Sequence, residues 1–523
     1  MEAAMFCTRL VLLALLLALS SPPCKLIQGP TGFGPLDVLQ ATSKASTDFG
    51  GFVSGPPSAV LRPRSPRDIS LLLEHLSSFD PSGRWAATVA ARGAGHSIHG
   101  QAQAPGGIVV EMDSLPSSIR VRRSRSIPYA DVAGGATWAE LLEECLKVGL
   151  APRSWTDYLH ITVGGTLSNA GISGQAFKHG PQVSNVLQLD VVTGKGELVT
   201  CSPTSSSELF YAVLGGLGQF GIITRARILL QEAPKKVRWV RAFYDDFHTF
   251  TKDQELLISL PEMVDYVEGF VVLNEQSLDS SSNAFHSHVD FIAELRKDRT
   301  KIHYCVEFAV HDYSLTETTS AEHVVEEVSG KMSYMSSHIY SVEVSYFDFL
   351  NRVTVEEMNL RRRGLWEVPH PWLNFFVPES GINEFKDLLL DYISPEEFEG
   401  PVLIYPLLRD KWSANTSVVL PESDVSERVV YVVGILRSAN PKTCSPRCLL
   451  GLLRCHRQIA DAASRIGAKQ YLGHQPSPAH WQDHFGSKWG RFAALKARFD
   501  PLGILGPGQG IFPSSSNPTS SST

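Results

Sequence analysis

Apolar positions in the first half of the chain alternate between two spacings. After Ser65-Pro66-Arg67-Asp68, the residues Ile69, Leu72, Leu73 and Leu76 recur at helical spacing. The preceding quartet reads as a helix start: a capping hydroxyl, proline in the first turn, then an acid at the positive end of the dipole. Short apolar runs at Thr88–Ala90, Ile108–Met112 and Ser126–Ala133 predict strands. Thr137 then caps a helix whose buried face is Leu141, Leu142, Cys145 and Leu146. Strands and helices taking turns predict an α/β or α+β layer rather than a sandwich. Beyond about residue 235 the pattern changes. Amphipathic helices are expected over Glu322–Met335 and Glu384–Ile393, with strands at Tyr266–Leu273, Val402–Leu408 and Val429–Leu436. This predicts a second, α+β domain covering the first. Trp489–Phe512 returns to the earlier character, and the Ser/Thr/Pro/Asn tail 513–523 is expected to be disordered.

Between the strands lie three stretches of small residues. Ala91–Gly107 (ARGAGHSIHGQAQAPGG) holds five glycines and four alanines, with the imidazole of His96 followed by Ser97. Val163–Gly174 (VGGTLSNAGISG) follows Trp155-Thr156-Asp157-Tyr158-Leu159-His160, and Leu214–Thr224 reads LGGLGQFGIIT. Without Cβ atoms, backbone N–H groups can approach a bulky anion closely. One such loop is explained by a tight turn; three in one domain suggest a wrapping around an extended, phosphate-bearing cofactor, with His96 a ring nucleophile inside it. The spacing does not fit the dinucleotide fingerprint with a helix directly behind it, and neither a P-loop nor paired zinc ligands occur.

The 523 residues suffice for two or more domains, and 43% apolar content supplies a core. A formal net charge of −7 and a pI of about 6.2 argue against nucleic acid or an anionic membrane surface as partner. Arg9 followed by the apolar run Leu10–Leu19 and Ser20-Ser21 reads as a secretory leader, and its apolar run is shorter than the about 20 residues a membrane span needs. Asn415-Thr416-Ser417 is an acceptor sequon that fits export. The eight cysteines are scattered, with Cys444, Cys448 and Cys455 close together; a bridge at Cys444 or Cys448 and buried free thiols remain equal alternatives.

Taken together, several segments resemble cytokinin oxidase/dehydrogenase, a plant family of the vanillyl-alcohol-oxidase-like flavoproteins. They are Gly95-His96-Ser97 with Gly100-Gln101-Ala102, Trp155-Thr156-Asp157-Tyr158-Leu159, Asp265-Tyr266-Val267-Glu268-Gly269-Phe270, His370-Pro371-Trp372-Leu373-Asn374 and Pro507-Gly508-Gln509 followed by Ile511-Phe512. The resemblance runs from about residue 40 to 512. It implies a two-domain α+β flavoprotein: leader 1–21, a discontinuous FAD-binding domain over 40–235 and 476–512, and an inserted substrate domain over 236–475. It implies FAD bound covalently through its 8α carbon to His96. Ala91, Gly93, Gly95, Ser97 and Gln101 match residues that wrap the cofactor, as do Thr162, Ser168, Ile172, Ile222, Tyr471 and Gln509. Asp157 matches the catalytic acid beside the flavin, in contact with the cofactor; Glu268 matches a catalytic and substrate-contacting polar residue at the channel mouth, and Trp372 and Asn374 the substrate pocket. Two departures stand out: Gly506 where a serine is frequent, and Gln475 where an aromatic is frequent, the latter expected near the active site.

The reaction this implies is oxidation of an N6-isopentenyl-type adenine to an imine, which hydrolyses to adenine and an unsaturated aldehyde. It needs a hydride acceptor, which flavin N5 provides, and a carboxylate within reach of the amine proton. Asp157 is the candidate, with Trp155 and Tyr158 beside it to restrict water. An uncharged flat heterocycle calls for an apolar slot with few polar groups, which Trp372 and Asn374 supply. The electron acceptor is expected to be a quinone or O2, the protein a monomer secreted to the apoplast. Another oxidase of the superfamily, acting on a sugar, alcohol or 2-hydroxy acid, would share His96 but not the HPWLN or DYVEGF segments. A non-catalytic hormone-binding flavoprotein would have no use for Asp157.

Overall fold

The computed structural model describes residues 36–79, 87–124, 126–275, 277, 285, 301–313, 319–422 and 427–512. The leader 1–21 and the tail 513–523 lie outside the described residues. Among the described residues there are three sheets. The first has four strands, β1 (Val38–Leu39), β2 (Ala59–Leu61), β3 (Val89–Arg92) and β4 (Ile108–Glu111), in the order β1-β2-β4-β3. Helix α1 (Pro66–Phe79) packs on it through Ile69, Leu72 and Leu73. Its start is held by the Asp68 carboxylate, which accepts from the Ser65 backbone N–H and hydroxyl.

The second sheet contains β5 (Ile119–Arg122), β6 (Tyr129–Ala133), β7 (Leu150–Pro152), β8 (Val186–Thr193), β9 (Leu198–Cys201) and β10 (Gly221–Glu232). Its order is β5-β6-β10-β8-β9, with β7 paired to β10. Helix α2 (Trp138–Leu146) covers it. Thr137 and Glu140 form a reciprocal capping box at its start, and Leu141, Leu142 and Cys145 are buried while Leu146 is half-buried. The short helix α3 (Val163–Leu167) lies within the second glycine-rich stretch.

The third sheet has eight strands: β11 (Lys236–Tyr244), β12 (Tyr266–Val272), β13 (His303–Asp312), β14 (Ile339–Ser345), β15 (Trp372–Pro378), β16 (Val402–Leu408), β17 (Val429–Leu436) and β18 (Lys469–Tyr471). Their order is β14-β11-β13-β12-β16-β17-β15-β18. Strand side chains alternate between faces. Val240, Val267, Phe375 and Val433 pack into a core with α4 (Thr319–Ser329), α6 (Ile382–Tyr392) and α7 (Pro446–Arg465). Trp239, Tyr266, Phe376 and Val432 take the opposite parity and join the core shared with the second sheet. That parity sends Glu268, Trp372 and Asn374 to the same face. Helix α5 (Arg352–Arg363) crosses there and contains no fully buried residue. Helix α4 ends earlier than the pattern predicts, because after Gly330 the chain turns to pair the Met335 N–H with the Phe243 carbonyl at 2.8 Å.

The C-terminal helix α8 (Trp489–Phe499) and the segment behind it rejoin the first two sheets. The Val89 N–H donates to the Ile504 carbonyl at 2.7 Å, and the Gly506 N–H donates to the Val89 carbonyl at 3.1 Å. Buried Lys496 bonds Asp500 at 2.7 Å, the Gln219 carbonyl at 3.1 Å and the Leu505 carbonyl at 2.9 Å. Asp500 in turn accepts from the Ile504 and Leu505 N–H groups. The α+β class and the return of the C-terminal segment thus follow the sequence reading. At the cysteines, Cys444 and Cys448 form a disulfide across the start of α7, while Cys145, Cys201 and Cys305 are buried thiols.

Lys496→Met strips one partner from a buried ion pair and orphans two backbone carbonyls. It is expected to remove about 3–5 kcal/mol of unfolding free energy, read from urea denaturation; an unchanged midpoint would show that the C-terminal segment is held by its apolar contacts alone.

Candidate active site

The first glycine-rich loop is set by groups distant in sequence. The Asp48 carboxylate accepts from the Ser97 hydroxyl at 2.8 Å and the Gly100 N–H at 2.6 Å, and burial pushes its pKa up despite both bonds. The Phe49 and Gly50 N–H groups donate to the Gly95 and Ser97 carbonyls. Gln101 turns its carboxamide oxygen back onto the Ile98 and His99 N–H groups. The outcome is a fixed His96 ring. It stacks on Phe49 at 4.0 Å between centroids, and Phe49 stacks on His370 at 4.1 Å. Tyr158 and Trp372 approach the same imidazole at 5.0 and 5.7 Å. Desolvation, with His370 nearby, holds the His96 pKa down to about 3, so the ring is neutral with a lone pair available over the whole physiological range.

One cavity of about 610 Å3 runs from this loop to the third sheet. Ala91, Gly93, Gly95, His96, Ser97 and Gln101 line it, and so do Thr162, Ser168, Ile172, Ile222 and Gln509. Asp157, Glu268, Trp372, Asn374 and Tyr471 line it as well. Residues spread over more than four hundred positions therefore meet on one surface. Gly434, directly across from Asn374 on the neighbouring strand, leaves room for that carboxamide.

Its polar centre is a pair of carboxylates joined by a hydroxyl. Ser173 Oγ donates to Asp157 Oδ1 at 2.5 Å and stands 3.3 Å from Glu268 Oε1. A hydroxyl has one proton to give, so with that proton on Asp157 the second contact needs a proton on Glu268. Burial and the Asp157 charge push the Glu268 pKa well up, in the same direction. The relay runs Glu268–OH to Ser173–OH to the Asp157 carboxylate. Arg352 Nη2 stands 3.5 Å from both Asp157 and Glu268 and contacts the Tyr266 hydroxyl.

Three expectations change. Glu268 is not at a channel mouth: at 3% exposure it is buried beside Asp157, whereas Arg363 is an exposed lining residue. Trp155 does not shield Asp157; it turns into the core, donating to Tyr346 OH at 3.1 Å, and Tyr158 alone of the two lines the cavity. Gln475 is outside the lining and donates to Gln470 at 3.1 Å, while Gly506 is part of the wall. Residues the sequence reading missed include Asp48, Phe49, Ser173, Trp239 and Arg352. Only Ser173 carried a local signal, its place inside the second glycine stretch.

The residues fit FAD. Gly93 faces Thr162 so closely that a Cβ there would collide with the threonine side chain, and Gly95, at φ +72°, has the Arg92 guanidinium where a Cβ would stand. These backbones form a wall without side chains. Ile172 and Ile222 give apolar faces, and buried Gln509 Oε1 on the same wall has no hydrogen-bond partner. Such a cavity suits a long, flat ligand with a polar tail.

Comparison with known proteins agrees. The fold and site define a flavin-dependent oxidoreductase of the VAO type: residues 57–202 match the FAD binding domain family, and a VAO-type flavoprotein of Myceliophthora thermophila superposes with a TM-score of 0.62 at 15% identity, over 88% of this chain and 80% of that one. Residues 234–512 match the family described as cytokinin dehydrogenase 1, FAD and cytokinin binding. Cytokinin dehydrogenase 3 of Oryza sativa subsp. japonica is 67% identical over 99% of this chain and 98% of its own length. Cytokinin dehydrogenase 1 of Arabidopsis thaliana is 47% identical over 89% and 80%. The chain belongs to the cytokinin dehydrogenase family.

Gly95→Ala forces a left-handed conformation on a residue with a Cβ, at about 1–2 kcal/mol, and displaces Arg92. The purified variant is expected to carry less flavin, seen as a lower visible-to-ultraviolet absorbance ratio; a parental ratio would mean that the loop does not need this backbone.

Proposed function

We propose that this protein oxidatively cleaves the N6 side chain of isoprenoid cytokinins, isopentenyladenine and zeatin, giving adenine and an unsaturated aldehyde. The observation that carries this reading is the carboxylate pair on a cavity wall that also holds His96, inside a chain of the cytokinin dehydrogenase family. FAD, when bound, supplies the hydride acceptor.

The chain's own residues do the rest. His96, neutral and fixed by stacking, is the attachment point for the flavin 8α carbon. Ala91, Gly93, Gly95, Ser97, Gln101, Thr162, Ser168, Ile172, Ile222, Tyr471 and Gln509 wrap the cofactor. Trp372 and Asn374 clamp the adenine, the indole by area and the carboxamide by hydrogen bonding. Asp157 accepts the N6 proton while the adjacent carbon gives up its hydride, leaving a carbon–nitrogen double bond. Water adds to that bond, and adenine leaves with the N6 nitrogen. Glu268 keeps a proton and, through Ser173, holds Asp157 in place as the acceptor.

The FAD-binding domain comprises 40–235 and 476–512 and the substrate domain 236–475. The electron acceptor is a quinone or O2, and the working unit is a monomer. Export to the extracellular space fits the leader 1–21, the exposed Asn415 as glycan acceptor and the Cys444–Cys448 disulfide, a bond of oxidising compartments. Among the described residues no helix is long and apolar enough to cross a membrane.

Asp157→Asn is expected to retain flavin and to lower kcat on isopentenyladenine about 100- to 10,000-fold, measured by anaerobic bleaching of the visible band. Bleaching at the parental rate would remove Asp157 from the reaction. Turnover of a sugar or alcohol with none of isopentenyladenine would overturn the substrate assignment.

A further inference from the structure

Arg352 occupies an unusual position. It is the first residue of α5, where the helix dipole disfavours a cation, and it has no capping side chain before it. Other contacts must compensate. Its side chain is only 10% exposed, on a helix otherwise lacking buried residues. Nη1 donates to the Phe349 carbonyl at 3.1 Å, and the guanidinium lies 5.0 Å from the ring centres of both Tyr266 and Phe349. Nη2 reaches Asp157, Glu268 and the Tyr266 hydroxyl together.

The charges around this point can be assigned strand by strand. Glu307 of β13 is directly opposite Glu268 of β12, but it is paired with Arg241 of β11 at 2.7 Å. The phenols of Tyr266, Tyr405 and Tyr471 face the pair and are held neutral, burial pushing each pKa up. With one proton on Glu268, the Asp157 charge is balanced by Arg352. Arg352 works against the burial that raises the Glu268 pKa, so without that cation the pair would hold its proton to higher pH and be blocked as an acceptor there. The same helix lines the cavity through Val353, Glu356, Leu360 and Arg363, and its second tie is Glu357, which accepts from Tyr158 OH at 2.6 Å.

We propose that Arg352 is a positioning residue of this site: its guanidinium, shared by Asp157, Glu268 and Tyr266, keeps Asp157 the proton acceptor and anchors the cavity-lining helix above it. This rests on the assignment of Asp157 made above.

The test uses the flavin-loaded full chain. In Arg352→Met, the acid limb of the kcat/KM profile for isopentenyladenine is expected to rise by about 1–3 pH units. Arg352→Lys, which keeps the charge but not the fork, returns the limb to near the parental position with a lower kcat. Infrared titration of the resting protein gives a readout independent of turnover: the protonated-carboxyl band, identified by its loss in Glu268→Gln, persists to higher pH in Arg352→Met. Glu357→Gln weakens the Tyr158 and Arg361 ties of the helix while leaving the contacts of Arg352 with Asp157 and Glu268 in place, and is expected to raise KM with no movement of the limb. If Arg352→Met fails to load flavin, Arg352→Gln carries the same prediction. A limb and infrared band superposing on the parent's, or a limb moved equally by Glu357→Gln, would overturn the proposal. Asp157→Asn separates the two claims. If it abolishes the limb while Arg352→Met leaves it in place, only the role of Arg352 falls. If Asp157→Asn keeps the parental limb, the assignment of Asp157 falls and this inference with it.

Discussion

The close approach of backbone to backbone around His96 is the constraint on which the rest of the structure depends. Gly93 lies against Thr162, Gly50 against the Ile98 carbonyl, and Gly508 against the Gly100 carbonyl, each so near that a Cβ would collide. Four separate segments converge through these contacts, and the last of them arrives only because the C-terminal chain returns from the far side of the third sheet. The Lys496–Asp500 pair and the bonds between Val89 and residues 504–506 hold it there. Glycine at 50 and 508 therefore packs main chain against main chain, glycine at 93 packs main chain against the Thr162 side chain, and the wall free of side chains is a consequence of that packing. A nucleophilic ring inside such a wall has little freedom: Phe49 and His370 fix its plane, and burial keeps it unprotonated.

The second organising feature is the parity of the eight-stranded sheet. Because alternate residues face opposite sides, one face closes a conventional core beneath α4, α6 and α7, and the other presents Trp239, Glu268, Trp372 and Asn374 to the cavity. A one-residue slip in any of these strands would exchange the faces and bury the chemistry in the wrong layer. Charge on this face is tolerated because it is paired: Arg241 with Glu307, and Arg352 between Asp157 and Glu268. A fixed arrangement of buried charges can favour a reaction that separates a proton from a hydride, since it does not have to reorganise as water would.

Much of this was legible in the residues alone, for identifiable reasons. The helix starts at Ser65 and Thr137 depend on neighbours three positions away, and both are found where the local chemistry placed them. The strands Val402–Leu408 and Val429–Leu436 announce themselves by unbroken apolar runs. The glycine stretches pointed to one cavity because their composition has few other uses. What was hidden is what arises from long-range contact. Asp48 reaches Ser97, and Arg352 reaches Asp157, across 49 and 195 residues, and neither carries a local mark. The resemblance implies a mouth position for Glu268, yet Arg352 and a retained proton let it sit inside. Trp155 and Tyr158, three apart, point to opposite sides of their segment, a distinction that composition does not encode.

The central claim is that this wall holds a flavin tethered to one imidazole. The most direct measurement is the mass of the proteolytic peptide containing His96, taken from native protein without reduction or acid treatment. The account predicts a peptide heavier by one FAD, fragmenting with the adduct on His96. An unmodified peptide, with the flavin recovered free in solution, would contradict it.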